Sequence, residues 1–210
     1  MTTSPPTRTP TSTRQPLAEA VVALAETPDD MPDLDVRLQG IAELAAARIG
    51  GVDYAAICAR PDDGSCTVAV GGELVSDLGE EDGSAKTISW PHFREEAAGM
   101  GLRVVSAPLT TGSGAAVATL DLYGSDPAAM ESLAGGIAAA YDPELPLAED
   151  LDAGGEELVN GLAEAQCVRE TIQLALTLME EDGDAYARLR LAAAEQGVSL
   201  LTAATRLIAR

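Results

Sequence analysis

The sequence predicts an α+β domain, an antiparallel sheet flanked by helices, followed by an all-α three-helix bundle whose first helix is long and of coiled-coil type. Three observations carry this. Strand-like and helix-like runs alternate up to residue 141, an acidic Pro- and Gly-containing segment follows, and beyond it no strand signal survives. The 210 residues suffice for one or two domains, and 46% hydrophobic with 22% charged residues lies in the globular range. Aromatic residues make up only 3%, so the core is built from small aliphatic side chains, which favours close-packed helices.

Residues 1–16, MTTSPPTRTPTSTRQP, hold two Arg and no acid, and read as a disordered tail. From Leu17 to Gly50 apolar residues recur at helical spacing, broken by ETPDDMPD at 26–33, which gives two helices. The second, Leu34–Ile49, stops at Gly50-Gly51, and VDYAAICAR then reads as a strand. PDDGS at 61–65 is a turn and CTVAV a second strand, forming a hairpin. Residues 72–89 are acidic and weakly patterned and read as irregular. Pro91 opens a helix through Gly99, LRVVSAPL is a strand, TTGSG a turn, and AAVATLDLYG a long antiparallel partner strand. Asp126-Pro127 starts a helix to about Tyr141, closing a first domain over 17–141.

Residues 142–157 hold seven acids and no base, with Pro143, Pro146 and Gly154-Gly155, and the linker is placed at 142–155. In the unit over 156–210, Leu158, Ala165, Ile172 and Met179 repeat every seven residues, with Val168 and Ala175 near the d position and Leu162 and Leu176 beside the seam. A helix of about 25 residues with such a seam can pair with a copy of itself. Leu158, Leu162, Ala165, Ile172 and Met179 are therefore candidate homodimer residues, the alternative being packing within the chain. Gly183 ends this helix, Asp184 caps the next through about Gln196, and Gly197 ends that one. Ser199 caps a last helix with Leu200, Ala204, Leu207 and Ile208 on one face.

The net charge of −21 excludes a generic nucleic-acid-coating surface. It is unevenly shared: residues 1–16 carry +2, 17–155 carry −19, and 156–210 carry −4 with their last 26 residues at +3. Cys58, Cys66 and Cys167 are odd in number without close pairing, and fit reduced, partly buried thiols better than a disulfide framework. One His in the whole chain argues against a zinc site, and no metal or cofactor is expected. The absence of a signal-peptide pattern or of an apolar run near ~18 residues points to a cytoplasmic protein without a membrane span. No Gly-x-Ser-x-Gly elbow, dinucleotide fingerprint or P-loop Lys is present, and His92 in SWPHF has no nucleophile in defined relation to it. No catalytic residue is assigned and the chain reads as a non-enzyme.

The run AYARLRLAAAEQGVSLLTAATRLIAR at 185–210 resembles the ANTAR domain, an RNA-binding three-helix module of bacterial transcription antiterminators. The resemblance rests on Ala185, Tyr186, Leu189, Arg190, Ala193, Leu200, Ala203 and Ala204, with Gln173, Leu178 and Met179 as landmarks of the preceding helix. The first domain is similar to the GAF sensor domain that often precedes ANTAR in actinobacterial regulators, through GVDYAAI, SWPHF, the GLRVVSAPL and AVATLDLYG pair, and Pro127. What the resemblance implies is a dimeric cytoplasmic regulator in which the sensor domain, with a small-molecule ligand of unknown identity, controls binding to paired hairpin loops of a nascent transcript. Two departures accompany it. Leu174, Ala175 and Leu176 stand where the family carries a small and a basic residue, and the stretch between Gly72 and Trp90 is shortened.

Tyr186, Arg188, Arg190 and Arg206 are the candidate RNA-binding residues. Arg donates bidentate contacts to phosphate and stacks on unpaired bases, and Tyr offers a stacking face. The plainer reading makes Tyr186 a core residue and the Arg side chains a solvated face. The alternative function is a degenerate relative that does not bind RNA and acts as a dimeric ligand-sensing or protein-interaction module.

Overall fold

The computed structural model describes residues 16–58, 65–71, 87–146, 150–179 and 184–209. Within them the chain is α+β, with a five-stranded antiparallel sheet and seven helices. The elements are α1 (Pro16–Ala25), α2 (Leu34–Arg48), β1 (Tyr54–Cys58), β2 (Ser65–Val70), β3 (Thr87–Pro91), α3 (Phe93–Gly99), β4 (Arg103–Thr110), β5 (Ala116–Gly124), α4 (Pro127–Tyr141), α5 (Ala153–Leu178), α6 (Ala185–Gln196) and α7 (Leu200–Ile208). None of these helices is long and apolar enough to cross a membrane. The expected disordered tail up to residue 15, the turn at 61–64, residues 72–86 and Gly183 lie outside the described residues.

The sheet runs β3-β2-β1-β5-β4, every neighbouring pair antiparallel. Its period-two pleat sorts side chains onto two faces. Ala55, Ile57, Ala69, Leu120 and Leu122 join the main core with α1, α2, α4 and α5, while Ala56, Cys58, Cys66, Val68 and Tyr123 form a second core with Phe93 and Ala97 of α3. Asp126 accepts a hydrogen bond from the Ala128 N–H at 2.9 Å, and Pro127 occupies the first turn of α4, as the sequence predicts.

β3 corrects the sequence reading. Thr87–Pro91 is an edge strand paired with β2, where an irregular segment and a helix opening at Pro91 were expected. An edge strand needs neither alternating burial nor every ladder N–H, so Pro91 is tolerated at its last position and α3 starts at Phe93. The Gln39 amide of α2 donates to the Thr87 hydroxyl and fixes this edge to the helical layer.

The cysteine expectation is also corrected. Cys58 and Cys66 form a disulfide across β1 and β2, with Cα atoms 4.6 Å apart, and Cys167 remains free and exposed. The β1–β2 register brings together two residues eight apart in sequence, a pairing that counting cysteines does not reveal.

The C-terminal helices share the main core with α1, α2, α4 and the sheet. α5 begins inside the stretch expected to be a linker, its N-terminus capped by Asp152, whose Oδ1 accepts from the Gly155 N–H at 2.8 Å while Oδ2 accepts from the Gly50 N–H at 2.7 Å. Glu157 is buried and accepts from the Leu17 N–H at 2.6 Å and from Arg48 Nε at 2.7 Å, tying the start of α1 and the end of α2 to α5. The α1 N–H is one of the donors that a helix start leaves unpaired. α5 lies so close to α1 that a Cβ on Gly161 would meet the Ala18 Cα at 2.7 Å.

This packing settles where the heptad residues go. Leu158, Leu162, Ala165 and Ile172 are buried in the main core and Met179 is packed partly buried against it. The face read as a self-pairing seam is covered by the chain itself, where α5 packs on α1, α4 and α7. Asp184 sits at the N-cap position of α6 but its side chain makes no capping hydrogen bond. Gly197, at φ +62°, ends α6, and Ser199 caps α7 by accepting from the Thr202 N–H at 3.2 Å, both as expected.

Candidate nucleic-acid interface

α6 turns Leu189 and Ala193, and the amphipathic α7 turns Leu200, Ala203 and Ala204, into the core. Tyr186 and Arg190, four residues apart on α6, are thereby held on one face, with the guanidinium carbon 5.8 Å from the ring centroid in a cation–π arrangement. Burial raises the Tyr186 phenol above its ordinary value, and the neighbouring Asp29 carboxylate adds to the shift.

The four candidate residues do not form one patch. Arg188, two residues before Arg190, points away from that face, and its Nη2 donates to the Met179 carbonyl at 3.3 Å. Arg206 of α7 donates to Gln196 Oε1 at 2.8 Å, at the far end of α6 from Tyr186, which a helical rise of ~1.5 Å per residue puts ~15 Å away. Arg188 and Arg206 are exposed.

The Tyr186–Arg190 face is occupied from within the chain. Arg190 Nη2 lies 2.7 Å from Asp30 Oδ1 and 3.0 Å from Oδ2, and the Tyr186 hydroxyl lies 3.5 Å from Asp29 Oδ1. The α1–α2 loop that carries both acids is itself held: the Thr111 hydroxyl donates to Asp29 Oδ1 at 2.6 Å, the Gly112 N–H to the Thr27 carbonyl at 2.9 Å, and the Thr27 hydroxyl to the Ala23 carbonyl at 2.7 Å. Gln173 of α5 donates to the Ser113 carbonyl at 2.6 Å in the same β4–β5 turn. Beside the pair a groove of about 520 Å³ opens between the loop and α6, lined by Glu26, Pro28, Arg190, Leu191, Ala194 and Val198 among others.

A second polar cluster, absent from the sequence reading, lies on the other face of the sheet. Asp121 of β5 is fully buried and accepts from Arg94 Nε at 2.9 Å, Arg94 Nη2 at 2.6 Å and the Ser106 hydroxyl at 2.7 Å. This hydrogen bond raises the Arg94 guanidinium above its ordinary value against the effect of burial. The Cys58 Sγ stands 3.5 Å from Asp121 Oδ2, a contact without a proton while the disulfide persists. The Tyr123 hydroxyl is buried without a hydrogen-bond partner, and burial pushes the phenol up to about 12. Tyr54, Trp90, Phe93 and Tyr123 surround this cluster with ring centroids 4.9 to 6.4 Å apart, and the chain has two further aromatics. The available signal was an acid flanked by Leu120 and Leu122 in a strand opposite Ser106. His92 is exposed at φ +61° before α3.

Compared with protein-family models, curated proteins and solved structures, the chain matches none.

Proposed function

We propose that the chain is a transcriptional regulator of the GAF–ANTAR kind: a GAF-like sensor domain controlling an ANTAR-like three-helix module that binds structured RNA, the hairpin loops of a nascent transcript, as an antiterminator. The observation that supports this best is the Tyr186–Arg190 pair, an aromatic face and a guanidinium side by side on one helix, inside a C-terminal stretch of +3 in a chain of −21. That pair offers stacking and phosphate pairing within one nucleotide's reach. The cytoplasmic setting belongs to the proposal. Two-hairpin recognition asks for a homodimer, and since the heptad seam is used internally, we place the second copy on the opposite edge of α5, where Leu174 and Leu178 are 51% and 60% exposed.

Gel-shift titration with loop-containing RNA at two salt concentrations tests the reading. Binding should weaken as salt rises, because phosphate contacts release counterions. Arg190→Ala and Tyr186→Ala should each cost about 1–3 kcal/mol of binding free energy. Binding unchanged by both substitutions removes the assignment. One observation favours a second reading, a dimeric interaction or ligand-sensing module without RNA: Tyr186 and Arg190 already have partners within the chain.

A further inference from the structure

We infer that the α1–α2 loop is an internal RNA mimic, its Asp29 and Asp30 carboxylates occupying the Tyr186–Arg190 face and competing with the RNA for it. The inference rests on the RNA-binding reading above and adds its regulation. A carboxylate gripped through both oxygens by one guanidinium nitrogen, at 2.7 and 3.0 Å, presents the same paired anionic oxygens as a phosphate. Asp29 sits against the phenol, at the place where a nucleotide next to that phosphate would lie. The acids are not loose. Thr111 and the Thr27–Gly112 bond anchor their loop to the β4–β5 turn, so the sheet of the sensor domain dictates whether the mimic is presented.

The strength of the contact suits a switch. Arg190 and Asp30 are 36% and 64% exposed, so their ion pair is of the weak, screened kind, and RNA with several phosphate contacts outcompetes it. A latch this weak shifts affinity by a modest factor, which a sensor can reverse by moving the β4–β5 turn. Release of the loop also withdraws the Glu26 and Pro28 wall of the adjoining groove and leaves the α6 wall that includes Leu191.

The test is RNA affinity of the full chain, by fluorescence anisotropy with a labelled hairpin, for wild type, Asp30→Asn, Asp29→Asn/Asp30→Asn and Glu95→Gln. Glu95 is an exposed acid of α3, on the opposite face of the sheet, and controls for loss of one charge. Asp30→Asn should bind about three- to fivefold more tightly and the double variant on the order of tenfold, with Glu95→Gln unchanged. The gain should shrink as salt rises. Hydrogen exchange should show the loop amides of residues 27–33 losing protection when RNA is added to wild type. If wild type and all acid variants bind RNA with equal affinity, the latch is overturned and the RNA reading stands. If no variant binds RNA, the RNA reading fails and takes the latch with it.

Discussion

At the scale of single residues, the buried polar groups show what each side chain does by what it touches. Tyr123 carries a hydroxyl that is out of water and without a hydrogen-bond partner, so its removal takes away a desolvated group and leaves the ring packing intact. Tyr123→Phe is therefore expected to be neutral or to stabilise by up to ~1 kcal/mol at pH 8, read as the urea midpoint. The sign of the pH dependence follows from burial. Phenols raised to about 12 at Tyr123 and Tyr141 favour the neutral, folded form, so their stabilisation is complete below about pH 10 and is lost as pH rises towards 12. Urea titrations at pH 8 and pH 11 should show that loss, and Tyr123→Phe should reduce it. Asp121 was not legible because an acid in an alternating strand reads as solvent-facing, and its partner Arg94 comes from a helix 27 residues earlier. Tyr186 and Arg190 were legible from their spacing on one helix. Their partners were not, since Asp30 lies 160 residues away from Arg190.

At the scale of elements, glycine's effect depends on what surrounds it. Gly161 in α5 faces the α1 backbone, which cannot yield as a flexible side chain can. Alanine favours a helix by about 1 kcal/mol over glycine, but overpacking costs about 1–3 kcal/mol. Gly161→Ala should therefore destabilise the fold, whereas Gly40→Ala in α2, with nothing within 4 Å of the added carbon, should stabilise it by up to ~1 kcal/mol. Denaturant midpoints of the two variants moving in opposite directions is the check. Helices and central strands were legible because hydrophobic periodicity follows burial: α1, α2, β1, β4, β5, α4 and the caps of α7 fall where the pattern places them. β3 was missed because an edge strand carries little of that pattern, and the seam of α5 left two readings open because it looks alike whether a second copy or the chain's own helices fill it.

At the scale of the whole molecule, one core runs from Leu17 in α1 to Ala204 in α7. Removing residues 151–210 strips α1 of its cover and leaves the Leu17 N–H and Arg48 without Glu157. A chain ending at residue 150 should lose cooperative unfolding by circular dichroism, and a sharp transition equal to that of the full chain would contradict the shared core. Elements that share a core also share their fluctuations, so a disturbance at the β4–β5 turn reaches Gln173 and the α1–α2 loop.

The buried Glu157 bridge has a consequence for anyone who recombines such proteins. A chimera that joins residues 156–210 to a foreign first domain through the acidic segment would place a carboxylate built for one particular pair of helix ends against strangers. Each splice would inherit an unanswered charge. The natural cut is thus an exchange of α1, the end of α2 and α5 together, so the transferable part of this molecule is discontinuous in sequence.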